Sequence, residues 1–194
     1  YHAGDFGRAV EVGLKEGFAG YNAANKAAMI HANYLEDDDA RKLAAYQEIA
    51  ARCEELQSAQ PDNANAWYYH AYALGRYSQG ISVAKALAEG LGGKIKQSLL
   101  RAIELAPKHA DARIALGTWH AEVIDKVGAL VGGLTYGAKK DAGSELLAEA
   151  LKLNPDSAIA RTEMANALVM LYGKGKLKEA EKLDIEAAKA ELED

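Results

Sequence analysis

The chain has 194 residues, 49% of them hydrophobic and 26% charged, with a formal net charge of −5. That apolar share is ample for a continuous core and excludes a disordered chain, and the acidic balance without a long basic run excludes a dedicated nucleic-acid binder. No apolar run reaches the roughly 20 residues needed to span a bilayer; the best, Val127 to Ala138, is 12 residues long and broken by glycines.

In chain order, Phe6, Val10, Leu14, Phe18 and Tyr21 recur at three- and four-residue spacing, which predicts one long helix from residue 6 to about 35. Glu36-Asp37-Asp38-Asp39 follows as an acidic turn whose last aspartates suit the free N–H groups of a helix over 40–58. A calcium loop is the alternative, but the alternating oxygen ligands, the central glycine and the closing glutamate are missing. The lone Cys53, on that helix, cannot form an internal disulfide and reads as a small buried hydrophobe, with no Cys-His arrangement around it.

A helix over 64–76 carries Trp67, Tyr68, Tyr69, His70 and Tyr72, and an apolar insertion over 81–93 follows it. The glycines before Lys94 do not make a phosphate loop: the earlier glycine position is Ala88, Ile95 stands where a hydroxyl belongs, and no strand precedes them. Helices are predicted over 95–106 and 109–127, then a second apolar insertion over 128–143, then helices over 144–153 and 157–172. Gly173 to Lys176 is a glycine turn, and a polar-faced helix over 177–192 caps the end. The insertions both mix Leu, Val and Ala with a glycine pair, Gly92-Gly93 and Gly132-Gly133. They are expected to meet as an extra layer buried by Leu87, Leu91, Leu130, Val131 and Leu134.

One stretch occurs twice. Leu99, Ala102, Ile103 and Leu105 before Pro107 recur as Leu147, Ala150, Leu151 and Leu153 before Pro155. Proline disfavours a helical conformation in the residue before it yet fits the first turn of the next helix, so each is a stop and a start. Pro61, the remaining proline, has the same context, and the three lie 46 and 48 residues apart. Such a period is the signature of a helical repeat array.

These residues resemble the tetratricopeptide repeat (TPR) family: Pro61, Pro107 and Pro155 match its closing proline, Trp67 its tryptophan, Leu116-Gly117 its leucine-glycine pair, and Ala102 and Ala150 its second-helix alanine. The chain departs from the pattern with Arg113 and Arg161 at the later tryptophan positions and with the two insertions. A weaker similarity extends to microtubule-dynamics-regulator-type and bacterial exported repeat proteins. The resemblance implies an all-α, right-handed superhelix forming a single domain of about four antiparallel helix pairs, in units near 6–60, 61–106, 107–154 and 155–192. It also implies a concave face that grips a protein or peptide segment. The inward positions are Asn65, Tyr68, Tyr72 and Arg76; Asp111, Ile114, Thr118 and Glu122; and Ile159, Thr162, Asn166 and Met170.

No catalytic, cofactor or metal site is expected, because His70, His120 and Glu122 lack a close ligand spacing and read as structural groups between helices. The alternatives to a binding scaffold are an oligomer formed through the insertions and a small-ligand receptor or enzyme. The start Tyr1-His2-Ala3-Gly4 lacks an initiating Met and reads as a processed or trimmed product, which sets the bacterial periplasm or envelope ahead of the cytoplasm as the expected location.

Overall fold

The computed structural model describes residues 4–193, with side chains through Ala190; the reading of Tyr1-His2-Ala3 as a processed start lies outside the described residues. Among them there is no strand. The chain divides after Ala106 into two compact halves.

The N-terminal half holds α1 (Phe6–Lys15), α2 (Phe18–Tyr34), α3 (Asp39–Ala59), α4 (Ala64–Gln79), α5 (Val83–Ala88) and α6 (Leu91–Leu105). The single long helix expected over 6–35 is two helices. Gly17 adopts φ 60°, a left-handed conformation that ends α1 and starts α2, and the two helices fold back on each other. They meet through glycine: a Cβ added at Gly20 would stand 2.0 Å from the Gly13 carbonyl oxygen. The acidic turn caps α3, as expected, with the Asp38 side chain accepting from Arg41 N at 2.8 Å. Glu36 accepts from the Arg41 guanidinium, which, with the Asp38 amide, holds its carboxyl down at about 2.

The C-terminal half holds α7 (Ala110–Val127), α8 (Ala129–Val131) running into a π-turn over Gly132–Tyr136, α9 (Lys140–Leu153), α10 (Ala158–Tyr172), a 3-10 turn (Gly173–Lys176) and α11 (Leu177–Glu193). The helices within each of the pairs α2/α3, α4/α6, α7/α9 and α10/α11 pack against each other, with α1 an addition to the first pair.

The three proline junctions are one local structure made three times. Gln60, Ala106 and Asn154 precede the prolines at φ −137°, ψ 72°; φ −133°, ψ 83°; and φ −138°, ψ 84°. Two residues after each proline comes a capping side chain. Asn63 accepts from Ala66 N at 3.3 Å, His109 Nδ1 from Ala112 N at 3.2 Å, and Ser157 from Ala160 N at 3.1 Å. Of the apolar stretch repeated before Pro107 and Pro155, Leu99, Ala102, Leu147 and Ala150 are buried, whereas Ile103, Leu105 and Leu151 are half-buried and Leu153 is exposed. Full burial of a leucine is worth about 1.5–3 kcal/mol.

The insertions differ from expectation. Gly90, at φ 66°, makes the turn before α6, so Gly92-Gly93 lie inside that helix and not in a turn. Gly143 likewise lies inside α9, three residues after its start. Of the five apolar residues expected to form a buried layer, only Leu91 is buried; Leu87, Leu130, Val131 and Leu134 are exposed. In the second insertion the reason is geometric. Gly132, on its inner side, is the residue pressed against Val123 and Ala138, which leaves Leu130 and Leu134 outside.

Candidate functional site

In the N-terminal half the expected inward residues share one face of α4, because 65, 68, 72 and 76 recur at helical spacing. The Asn63 cap fixes the start of that helix, and Asn22 Nδ2 donates to Asn63 Oδ1 at 3.0 Å, tying α2 to the same point. Tyr68, Tyr72 and Arg76 are half-buried and Asn65 is exposed. The Tyr68 and Tyr72 rings lie 6.3 Å apart, and the Arg76 guanidinium lies over the Tyr72 ring at 5.2 Å. Tyr69 adds a ring 5.3 Å from Tyr68. Tyr46 of α3 is buried beneath; burial first, and then the neighbouring Tyr72, push its phenol above the ordinary value. This face presents flat aromatic surface ending in a guanidinium, a chemistry that suits apolar and acidic groups of an extended segment.

The C-terminal half carries the other expected residues on α7 and α10, which pack against each other. Thr118 Oγ1 donates to Glu163 Oε2 at 3.3 Å and joins the two helices. Asp111, Ile159, Thr162, Asn166 and Met170 are exposed, and Thr118 and Glu122 are half-buried. Ile114 departs from expectation. It is 6% exposed and belongs to the core, since its side chain turns between packed helices and leaves nothing for a ligand to touch.

The histidines are held inside their own halves. His70 Nδ1 lies 2.8 Å from Ser98 Oγ, and its Nε2 faces Glu54 Oε1 at 3.3 Å without hydrogen-bond alignment. Burial pulls the imidazole below its ordinary pKa despite the carboxylate. Ser, His and Glu in this order resemble a nucleophile arrangement, with Ser98 3% exposed. Ser98 and Glu54 were not legible as His70 partners, being 28 and 16 residues away on other helices. His120 Nδ1 accepts from Lys139 N at 3.1 Å and fastens the end of the second insertion to α7. Among the described residues no three His, Cys, Asp or Glu side chains converge as metal ligands.

Cys53 is fully buried, as expected, and its thiol is pushed up to about 12 by burial. The fully buried Asn25 donates to its sulfur at 3.2 Å and accepts from Arg52 Nε at 2.9 Å.

At the tryptophan positions the chemistry changes between halves. Trp67 Nε1 donates to the Pro61 carbonyl at 2.9 Å, a contact that locks the junction to its own helix. Arg113 instead donates to Glu149 of α9 at 3.2 Å, and Arg161 donates to the Ser157 carbonyl at 3.3 Å. Beside Trp67, the residues Gln97, Leu100, Arg101 and Glu104 of α6 line a shallow recess of about 320 Å³. No inward-facing residue belongs to it.

No protein-family model and no curated protein matches the chain. Among solved structures it is similar to TTC0263, a thermophilic TPR protein of Thermus thermophilus, at 16% identity over 96% of this chain and 99% of that one, with a TM-score of 0.55. It is also similar to MamA, at 17% identity over 82% of this chain and 97% of that one, with a TM-score of 0.40. The likeness to TTC0263 is one of fold: an all-α helical repeat of tetratricopeptide type.

Proposed function

We propose that this chain, a helical-repeat protein of tetratricopeptide-like fold, is a non-enzymatic scaffold that grips a protein or peptide segment. The observation that carries the reading is the stack on α4, where Tyr68, Tyr72 and Arg76 are aligned at ring and guanidinium distances of 6.3 and 5.2 Å while still half-open to solvent. Interface energy concentrates in aromatic and arginine anchors of this kind. Asn65 extends the contact surface on α4, and in the C-terminal half Asp111, Thr118, Glu122, Thr162, Asn166 and Met170 supply polar contacts and one flexible apolar contact.

The test is selection of peptides from a displayed random library with the wild-type chain, followed by titration of the selected peptides against Tyr72→Ala/Arg76→Ala. A loss of about tenfold or more in affinity is expected, as one hot-spot residue alone contributes about 2 kcal/mol. Equal affinity in a variant that keeps its helical circular dichroism defeats the assignment to α4.

A further inference from the structure

Leu134 and Leu130 are the two most exposed large apolar side chains among the described residues, at 82% and 76%. Neither belongs to the proposed binding faces. Both stand on the excursion that leaves α7 at Gly128, φ 81°, and returns at Gly137, φ 67°. The inner side of the excursion is spoken for: a Cβ at Gly132 would meet Val123 Cγ1 at 3.2 Å and Ala138 Cβ at 3.6 Å. Leu130 and Leu134, four residues apart, therefore share the outer side, with Val131 half-exposed beside them.

The result is an apolar tip, convex and without walls. Peptides and small molecules take apolar groups into concavities; a convex tip instead suits a partner that yields around it. The charge near the tip points the same way. Between Lys126 and Lys140 the sequence holds three lysines and no carboxylate, in a chain of net charge −5. Lys126, Lys139 and Lys140 are exposed at the foot of the excursion, and Lys140 also donates to the Leu171 carbonyl at 2.6 Å. Asp125 and Asp141, also exposed, adjoin Lys126 and Lys140, so residues 125–141 carry a net charge of +1 in a chain that is acidic overall. Tyr136, half-buried between tip and lysines, has the amphipathic ring that settles at a headgroup boundary.

We infer that this excursion docks on an anionic phospholipid bilayer, placing Leu130, Val131 and Leu134 at the boundary of headgroups and acyl chains and the lysines against the lipid phosphates. A single small tip gives reversible attachment, because lasting anchorage takes two signals.

The test is flotation of the full chain with vesicles of phosphatidylcholine, with or without phosphatidylglycerol. The wild-type chain is expected to float with the anionic vesicles. Leu130→Ser/Leu134→Ser, which leaves the charge unchanged and alters only exposed side chains, is expected to lower partitioning about tenfold or more. Lys126→Gln/Lys139→Gln is expected to lower it about fivefold per lysine and to remove the preference for phosphatidylglycerol. The inference is overturned if the wild-type chain does not float, or if the serine variant floats equally well. It is also overturned if sedimentation shows a dimer that the serine variant splits while vesicles bind neither.

Discussion

Gly117 sits in a tight contact between α7 and α9, and a methyl group there has nowhere to go. A Cβ at Gly117 would stand 2.7 Å from Leu147 Cγ and 2.9 Å from the Gly143 carbonyl oxygen. Leu147 is fully buried and the carbonyl is backbone, so relief requires the two helices to move apart. Overpacking of this kind costs about 1–3 kcal/mol, partly offset by the helix preference of alanine over glycine of up to about 1 kcal/mol. Gly117→Ala should thus lose about 1–2 kcal/mol. Gly75 is the internal comparison: it lies in the interior of α4, and a Cβ there meets nothing within 4 Å. Gly75→Ala should accordingly gain about 0.5–1 kcal/mol from a less flexible unfolded chain. Urea titrations followed by circular dichroism, fitted with separate transitions where the two halves unfold apart, measure both. If Gly117→Ala matches or exceeds the wild type in stability, the close approach of α7 and α9 is wrong. If instead both substitutions destabilise alike, space is not what separates the two sites.

Three more outcomes are expected. The cap at His109 works only with the imidazole neutral, and burial holds its pKa below the ordinary value of about 6.5. Its stabilisation is therefore full above about pH 6.5 and lost as pH falls through the lowered folded value. His109→Asn, which preserves a cap, should flatten the acid side of the stability profile of the C-terminal half, and an unchanged profile refutes the capping role. Cys53, fully buried with its thiol pushed up to about 12, should resist a thiol reagent in the native chain and react at the rate of opening of the N-terminal half. Immediate labelling without denaturant contradicts that burial. Asn25→Ala removes the buried link to Cys53 and Arg52 and should cost about 1–3 kcal/mol in urea titrations, whereas no loss means the link adds nothing.

Local chemistry made much of the fold legible from residues alone. A proline disfavours helix in the residue before it and suits the first turn of the next helix, so the three junctions followed from short stretches, whereas the caps at Asn63, His109 and Ser157 came only with the structure. The α4 set at 65, 68, 72 and 76 came from the resemblance to the repeat family, and its helical spacing agrees with a single face. Even the break at Gly17 is local in cause, but apolar spacing continues through it, and periodicity cannot distinguish a hairpin of two helices from one. What required the tertiary structure were meetings of residues far apart in sequence. His70 with Ser98 and Glu54 depends on how α3, α4 and α6 pack, and Asn25 with Cys53 on how α2 meets α3; no spacing encodes either. The sign of burial was also decided there. Ile114 and Leu130 are equally apolar, yet one is enclosed between α7 and its neighbours while the other stands outside, because Gly132 took the inner position against Val123. Composition supplies apolar side chains, but only the packed backbone decides which of them have a surface to lie against.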